Sequence, residues 1–306
     1  MMATSIKLPP RVKIVEVGPR DGLQNESTLP LATKVELIDR LSQTGVSQIE
    51  SGAFVSESKI PQMANSNEVF KRISRQQGLT YSALTPNIRG LESAIDSGVD
   101  QVAVFTAASE GFCQRNINCS ISQSLERFKD VIELASKCKL PVRGYLSCIV
   151  DCPYDGATAP QHVADITQTM LDMGCYEVSL GDTLGTGTPL SIARVLEAIL
   201  ADVSPWQIAA HFHDTYGQAL ANLYQALLMG VSTIDSSVAG LGGCPYATGA
   251  AGNVATEDVL YLCQGLGIET GIDLNKMTII AWYICQQLNK APTSKVSLAS
   301  PPSPLP

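Results

Sequence analysis

The chain has 306 residues, of which 45% are hydrophobic and 16% charged, and its formal net charge is -8. A hydrophobic fraction of this size can bury a substantial core, which excludes global disorder. The negative charge excludes non-specific nucleic-acid binding, which relies on a clustered basic surface to neutralise phosphates. The length fits either two domains or a single α/β barrel of about 250 residues with insertions.

Eight short β-branched or apolar segments predict strands, and stretches with apolar residues at helical spacing lie between them. In chain order, the predicted strands are Lys13–Val17, Gln48–Ser51, Thr80–Leu84, Gln101–Thr106, Val142–Ile149, Tyr176–Leu180, Gln207–Phe212 and Thr233–Val238. Several helical stretches end at a glycine, for example Gly174 and Gly230, as left-handed C-caps do. This regular alternation without a linker favours one TIM (β/α)8 barrel over a doubly wound open sheet.

The end of the chain departs from the β/α alternation. Residues 256–289 predict extra C-terminal helices, so we expect residues 1–290 to form one barrel domain. Residues 291–306 are rich in serine and proline and can bury little apolar surface, which predicts a mobile tail.

The cysteine content and the first residues of the chain indicate the cellular compartment. The nine cysteines are an odd number without a Cys-x-x-Cys pair, which is typical of a reduced chain. Residues 1–13 lack the apolar core of a secretory signal, and no apolar run approaches the ~20 residues that span a bilayer. We therefore expect a cytoplasmic protein with neither a membrane nor a nucleic-acid partner.

The strongest functional signal is the sequence His211-Phe212-His213 at the end of the seventh predicted strand. Residues two apart on a strand share a face, so both imidazoles can reach one ion. In a TIM barrel, catalytic groups lie at this carboxyl end of the strands. The motif therefore favours a metal site over a purely structural pair, although imidazole suits several divalent ions and does not name the metal.

Arg20 and Asp21 follow the first predicted strand side by side. Because the ends of strands one and seven open onto the same cavity, Asp21 can complete a site of two histidines and one carboxylate. A divalent ion there would keep open positions for substrate oxygens, and Arg20 would add a permanent cation. The alternative is a solvent-facing turn with a surface ion pair.

Two further acidic residues are predicted at the same rim, Glu50 after the second strand and Asp182 after the sixth. Glu50 could orient Arg20 or help to move a proton. Asp182 could hydrogen-bond a metal-ligating histidine or Arg20, as residues that fix ligand orientation do. Each residue taken alone could instead be a helix cap or an ion-pair partner.

A glycine-rich loop with Cys244 at its turn, Gly240-Leu241-Gly242-Gly243-Cys244-Pro245-Tyr246, follows the eighth strand. We interpret it as a mobile lid that carries a thiol over the site. The alternative is a phosphate-holding loop in which Cys244 is incidental, since backbone N–H groups of glycine-rich turns bind anions. Asn253, just beyond the loop, offers an amide oxygen as a fourth metal ligand.

These motifs resemble those of the 3-hydroxy-3-methylglutaryl-CoA lyase family, one of the metal-dependent TIM-barrel lyases and synthases, nearly end to end. The pieces that carry the resemblance are Val17–Glu26, Gly181–Thr183, His211–Gly217 and the Gly240–Tyr246 loop. The cysteine loop is the most specific of them, because sister synthases share the Arg-Asp and His-x-His elements but lack that loop.

The resemblance implies cleavage of 3-hydroxy-3-methylglutaryl-CoA to acetoacetate and acetyl-CoA, as in leucine degradation or ketone-body formation, by a homodimer that uses Mg2+ or Mn2+. By position, the implied metal ligands are Asp21, His211, His213 and Asn253. The implied catalytic residues are Arg20, His211 and Cys244, supported by Glu50, Asp182 and Tyr145, with substrate contacts from Arg20 and Gln24.

One departure from the family lies in residues 51–59, where the usual Thr/Ser-rich run and a Pro-Lys pair are replaced. We expect the chemistry to survive while specificity is open to change. The alternatives are therefore a related metallolyase, aldolase or acyl-CoA condensing enzyme with a shifted 3-hydroxyacyl-CoA or 2-oxoacid substrate, or a catalytically silent barrel. Lys59, Arg115 and Arg143 are candidate CoA contacts by charge alone, and surface roles for them fit equally well.

Overall fold

A computed structural model describes residues 7–243 and 252–302 of the chain. The strands are β1 Lys13–Glu16, β2 Gln48–Ala53, β3 Thr80–Leu84, β4 Gln101–Ala107, β5 Val142–Ser147, β6 Asp151–Cys152, β7 Gly156–Ala157, β8 Glu177–Asp182, β9 Ile208–Phe212 and β10 Thr233–Ser236. Eight of them are parallel and close a barrel in the order β1-β10-β9-β8-β5-β4-β3-β2, and β6 and β7 form a separate hairpin. All eight predicted strands are found, and the predicted TIM barrel is confirmed.

Helices surround the barrel and alternate with its strands. They are α1 Leu31–Leu41, α2 Ser66–Arg72, α3 Ile88–Asp96, α4 Glu110–Ile117, α5 Ile121–Lys137, α6 Pro160–Asp172, α7 Pro189–Leu200, α8 Ala219–Leu228, α9 Thr256–Gly265, α10 Leu274–Gln287 and α11 Lys295–Ala299. Local sequence sets several boundaries: Ser120 and Gln123 form a capping box at the start of α5, and Gly174 follows α6 with a φ of +112°. No helix within residues 7–243 and 252–302 is long and apolar enough to cross a membrane.

The barrel interior differs in character from the layer between strands and helices. The outer layer is apolar and contains fully buried residues such as Leu37, Ile38 and Leu91. The interior instead holds charged side chains that reach across it, since Arg143 on β5 contacts Asp235 on β10 at 2.7 Å. Buried charges are stable only when they are paired and hydrogen-bonded, so this interior is a polar core built around ion pairs.

The structure differs from the predicted mobile tail between residues 291 and 302. Ser294 and Ser297 are fully buried at the start of α11. The Asp258 carboxylate on α9 accepts hydrogen bonds from the Ser294 hydroxyl at 2.8 Å and from the Val296 N–H at 2.8 Å. Amino-acid composition indicates how much apolar surface a segment can bury. It therefore does not predict the order of a segment that hydrogen bonds hold in place. Residues 303–306 lie outside the described part of the chain.

Candidate active site

Asp21, His211 and His213 come together at the carboxyl end of the barrel. His211 lies near the end of β9, His213 directly follows that strand, and Asp21 lies in a π-helical turn, Gly18–Gly22, just after β1. One ligand atom from each residue lies within 4.8 Å of the others, and the His211 Nε2 atom is 3.8 Å from an Asp21 carboxylate oxygen. The convergence of strands one and seven that the sequence predicts is therefore present.

Asn253 completes this group from the segment that follows the glycine-rich loop. Its backbone bridges that of His213, and its Nδ2 donates to an Asp21 carboxylate oxygen at 2.8 Å and to the Leu241 carbonyl at 3.2 Å. Its Oδ1 is buried and has no hydrogen-bond partner among the described residues. A buried amide oxygen is costly to leave unpaired, so an atom set of one carboxylate, two imidazoles and this oxygen fits a divalent cation.

The electrostatics of the group suit metal ligation, which needs deprotonated ligands. Burial lowers the pKa of His213 to about 4, and repulsion from His211 acts in the same direction, so the imidazole is neutral near pH 7. Burial raises the pKa of Asp21, but Arg20 and the two histidines outweigh it and bring the value to about 2. Asp21 is therefore an ionised carboxylate.

Arg20 is held in one orientation by two carboxylates. Its Nε and Nη2 atoms each lie 2.7 Å from a Glu50 oxygen, and Nη1 lies 2.7 Å from an Asp21 oxygen. The guanidinium carbon lies 5.3 Å from the centre of the Tyr145 ring, which is within cation–π range. Arg20 is 6% exposed and Glu50 is fully buried, so the alternative of a solvent-facing turn is wrong.

Asp235 is a residue of this site that the sequence reasoning missed. One of its oxygens lies 3.2 Å from His211 Nδ1, and its carboxylate also accepts two hydrogen bonds from Arg143 and one from Ser179. Burial acts to raise the pKa of Asp235, but Arg143 and His211 hold it well below its usual range. An ionised carboxylate can only accept hydrogen bonds, so Nδ1 of His211 carries the proton that it donates to Asp235. Nε2 of His211 then presents its lone pair to the candidate metal position.

The charge on His211 is governed by the same neighbours. Burial lowers its pKa, but the hydrogen bond with Asp235 and the attraction of Asp21 and Asp235 outweigh that effect and raise it overall. His211 is therefore the more basic of the two histidines. The available sequence signal for Asp235 was an acidic residue in the middle of a predicted buried strand.

Asp182 lies at the rim, but its carboxylate faces away from the histidine pair. It accepts from the Gly187 N–H at 2.9 Å and so stabilises the turn between β8 and α7. Burial raises its pKa to about 6. Within the described residues, no hydrogen bond joins this side chain to a histidine or to Arg20. Its contact with His213 is through the backbone, where the Asp182 carbonyl accepts from the His213 N–H at 3.3 Å.

A cavity of about 1460 Å³ opens onto this group and contains the remaining predicted residues. Gln24 and Tyr145 line it together with Arg20, and Lys59 and Arg115 also belong to its lining. Arg143 is 1% exposed and fully engaged in ion pairs, so it is not a CoA contact. Cys244 lies outside the described residues, and the last residue before it, Gly243, accepts a hydrogen bond from the Asn25 side chain at 2.7 Å.

Fold and site together define a class: a TIM barrel with a histidine–carboxylate group suited to a divalent cation at its catalytic end. A family model described as HMGL-like matches residues 11–284, and the chain belongs to this HMGL-like family.

Curated relatives match over nearly the whole chain. A protein of Pseudomonas aeruginosa named 3-hydroxy-3-isohexenylglutaryl-CoA/hydroxy-methylglutaryl-CoA lyase is 55% identical over 96% of this chain and 98% of its own length. The mitochondrial hydroxymethylglutaryl-CoA lyase of Gallus gallus is 53% identical over 95% of this chain and 98% of its own.

Solved structures agree with these relatives. A crystal structure of hydroxymethylglutaryl-CoA lyase from Pseudomonas aeruginosa has a TM-score of 0.94 and covers 95% of this chain and 98% of its own. A structure of an HMG-CoA lyase from Acinetobacter baumannii in complex with coenzyme A and 3-methylmalate has 32% identity and a TM-score of 0.91, and covers 100% of this chain and 99% of its own.

Proposed function

We propose that this chain is a metal-dependent carbon–carbon lyase that cleaves 3-hydroxy-3-methylglutaryl-CoA to acetoacetate and acetyl-CoA. The observation that carries the proposal is the group of Asp21, His211 and His213, whose ligand atoms lie within 4.8 Å of one another at the catalytic end of the barrel. The high identity to curated hydroxymethylglutaryl-CoA lyases supports it over nearly the full length.

In this reaction the substrate's C3 hydroxyl loses its proton and the C2–C3 bond breaks, leaving the ketone of acetoacetate and the enolate of acetyl-CoA. A bound divalent cation supplies Lewis-acid polarisation of substrate oxygens. The Nε2 lone pair of His211 accepts a proton only while it is not bound to the cation, because Asp235 occupies the Nδ1 side and Nε2 is the single acceptor of this imidazole. Arg20, already fixed by Glu50, stabilises the negative charge that develops on the thioester oxygen.

Several further roles belong to the same proposal. The buried Glu50 oxygen Oε1 has no partner in the described ranges, and burial raises the Glu50 pKa, so this carboxyl group is suited to sharing a proton as well as to orienting Arg20. Gln24 is proposed as a substrate contact and Tyr145 as a neutral support for Arg20, since burial raises the pKa of its phenol well above the usual range. Cys244 is proposed to return a proton to C2 of the enolate.

The metal, the location and the assembly are the finer parts of the proposal. We favour Mg2+ or Mn2+, because the site offers a carboxylate and an amide oxygen along with two imidazoles. A cytoplasmic location and a homodimer are proposed as well. Curated relatives carry both cytoplasmic and mitochondrial names, so a direct localisation experiment decides the first.

A second substrate is favoured by the shape of the cavity. Its wall on the side of β2, β3 and β4 includes the apolar side chains Ala53, Leu84 and Phe105, and Phe105 is the direct strand neighbour of Tyr145. An apolar wall in the same cavity as Arg20 can accommodate a longer branch at C3 than methyl. We propose that the chain also cleaves 3-hydroxy-3-isohexenylglutaryl-CoA, which the name of the Pseudomonas aeruginosa relative includes.

The test is a coupled assay of acetyl-CoA release from 3-hydroxy-3-methylglutaryl-CoA with Mg2+ or Mn2+ under reducing conditions. Wild type should be active and EDTA should abolish activity. His211→Ala and Cys244→Ala should each lose at least about a hundredfold, as removal of a proton-transfer group does. His162→Ala is the matched control, because His162 is exposed on α6 and should leave the rate unchanged.

A wild-type protein that binds metal but leaves this thioester intact would contradict the proposal. The isohexenyl substrate is tested in parallel with wild type and Leu84→Trp, which fills the apolar wall. Leu84→Trp should lose the longer substrate and retain the shorter one, whereas equal losses on both would argue against the apolar wall as a branch subsite.

A further inference from the structure

A second cavity lies at the opposite end of the barrel, where β1, β2 and β10 begin. It has a volume of about 320 Å³. The connection between α9 and α10 covers one side of it, since the Glu269 backbone pairs with that of Arg11 ahead of β1. The polar side chains that line it are Arg11, Lys13, Ser47, Ser232, Thr233 and Thr270. We call this space the floor cavity.

The floor cavity combines two cations with four hydroxyl groups and has no acidic residue in its lining. Within the described residues, neither the Arg11 nor the Lys13 side chain forms a hydrogen bond or an ion pair, which sets them apart from Arg20 and Arg143 elsewhere in the barrel. The chain as a whole is acidic, with 29 Asp and Glu against 21 Lys and Arg. Two cations without an acidic partner in such a chain leave a local excess of positive charge.

The nearest interior carboxylates remove only part of this excess. Glu177 and Asp235 act electrostatically on Lys13, and each of them lies 2.7 Å from a nitrogen of Arg143. Arg143 balances one of these two negative charges and Lys13 the other, so the charge of Arg11 is the one left unbalanced at the floor cavity. Three of the four hydroxyls, those of Ser47, Ser232 and Thr233, also have no hydrogen-bond partner in the part of the chain that the structure describes.

We propose that the floor cavity binds a small oxyanion, a phosphate or a carboxylate group, between Arg11 and Lys13. Charged donors and hydroxyl groups are the partners such an anion takes, and charge-assisted hydrogen bonds are the strong ones. The volume admits inorganic phosphate or a short-chain acid but not a coenzyme A molecule. The site is separate from the catalytic end, which lies at the other ends of the same strands.

The test is isothermal titration calorimetry of the metal-free 306-residue chain with inorganic phosphate and, separately, with acetoacetate, at constant ionic strength and with chloride as the reference anion. Saturable one-to-one binding is expected for at least one of the two. Arg11→Gln should weaken it about tenfold or more, because a charge-assisted hydrogen bond is lost. Arg11 is exposed, so this variant should fold.

The control is Arg115→Gln, which removes an exposed cation of the large catalytic cavity and should leave the affinity unchanged. Ser232→Ala supplies a second, uncharged probe and should weaken binding by a smaller factor. Binding of phosphate alone or of acetoacetate alone supports the site and identifies the anion class. No saturable binding of either anion, or binding that Arg115→Gln removes and Arg11→Gln preserves, overturns the proposal.

Discussion

Replacing Asp235 with asparagine tests how the buried interior of the barrel controls the metal site. The carboxylate of Asp235 accepts from Arg143 at 2.7 and 2.9 Å and from Ser179 at 2.7 Å, and it lies 3.2 Å from His211 Nδ1. Asparagine keeps the shape but loses the charge and one acceptor oxygen. Arg143 then retains only Glu177 as an ionic partner.

The expected losses follow from these contacts. Removing one partner of a buried ion pair costs roughly 3–5 kcal/mol of unfolding free energy, and we expect about 3 kcal/mol because Glu177 remains. Loss of the group that orients a metal-ligating histidine typically weakens metal affinity 10–100-fold, and we expect about that loss for Mn2+. Urea unfolding of the metal-free protein measures the first quantity. Competition with a chromophoric chelator measures the second.

Glu177→Gln is the matched control for this variant. It removes the other carboxylate of Arg143, so it should destabilise the protein by a similar amount. It does not contact His211, so Mn2+ affinity should stay within about threefold of wild type. If Asp235→Asn and Glu177→Gln weaken Mn2+ binding equally, the effect comes from general loosening of the interior, and the orienting role of Asp235 is refuted.

Three further variants test other contacts. Asn253→Asp places a second carboxylate beside Asp21, so the metal-free variant should lose about 1–3 kcal/mol of unfolding free energy. Mn2+ should then stabilise the variant more than it stabilises wild type in urea unfolding. Equal stabilisation of both proteins by Mn2+ would contradict this prediction. Burial raises the pKa of Glu257 to about 8, so the native state binds a proton that the unfolded state releases near pH 4.5, and stability falls as pH rises between these values. Glu257→Gln should flatten that fall by on the order of 3 kcal/mol in urea unfolding at pH 5 and 8, whereas exposed Glu269→Gln should keep the wild-type slope. Thr293→Val removes hydroxyl hydrogen bonds to the carbonyls of residues 239 and 240 and should cost about 1 kcal/mol, while Thr293→Ser should recover it; equal stabilities would refute this role.

The convergence of Asp21 with the histidines could be predicted because it depends on two regularities. Side chains alternate along a strand, which puts His211 and His213 on one face, and all strand ends of a parallel barrel meet at one mouth. Neither regularity depends on details of packing. The same reasoning placed Arg20 and Glu50 at that mouth, where they form an ion pair.

The positions of Asp182 and Asp235 depend on information that spacing alone does not carry. Ser179 on β8 reaches Asp235 across the interior, so Asp182, three positions later, has the opposite parity and faces the turn before α7. Which side chains of β8 face the interior can be inferred from Ser179 only once its partner, Asp235, is known. The contact between Arg143 and Asp235 joins residues 92 positions apart and exists only once the barrel closes.

The charge pattern of the interior gives the metal a second role besides its chemistry. Each of the two buried arginines contacts two carboxylates: Arg20 has Asp21 and Glu50, and Arg143 has Glu177 and Asp235. With the histidines neutral and Glu50 ionised, Lys13, which acts electrostatically on Glu177 and Asp235, balances the charge that Arg143 leaves over. The remaining negative charge belongs to Asp21 and Glu50, which share the single cation Arg20, and a divalent cation beside Asp21 offsets it. The same ion that would polarise the substrate thus also balances the electrostatics of the barrel that holds it.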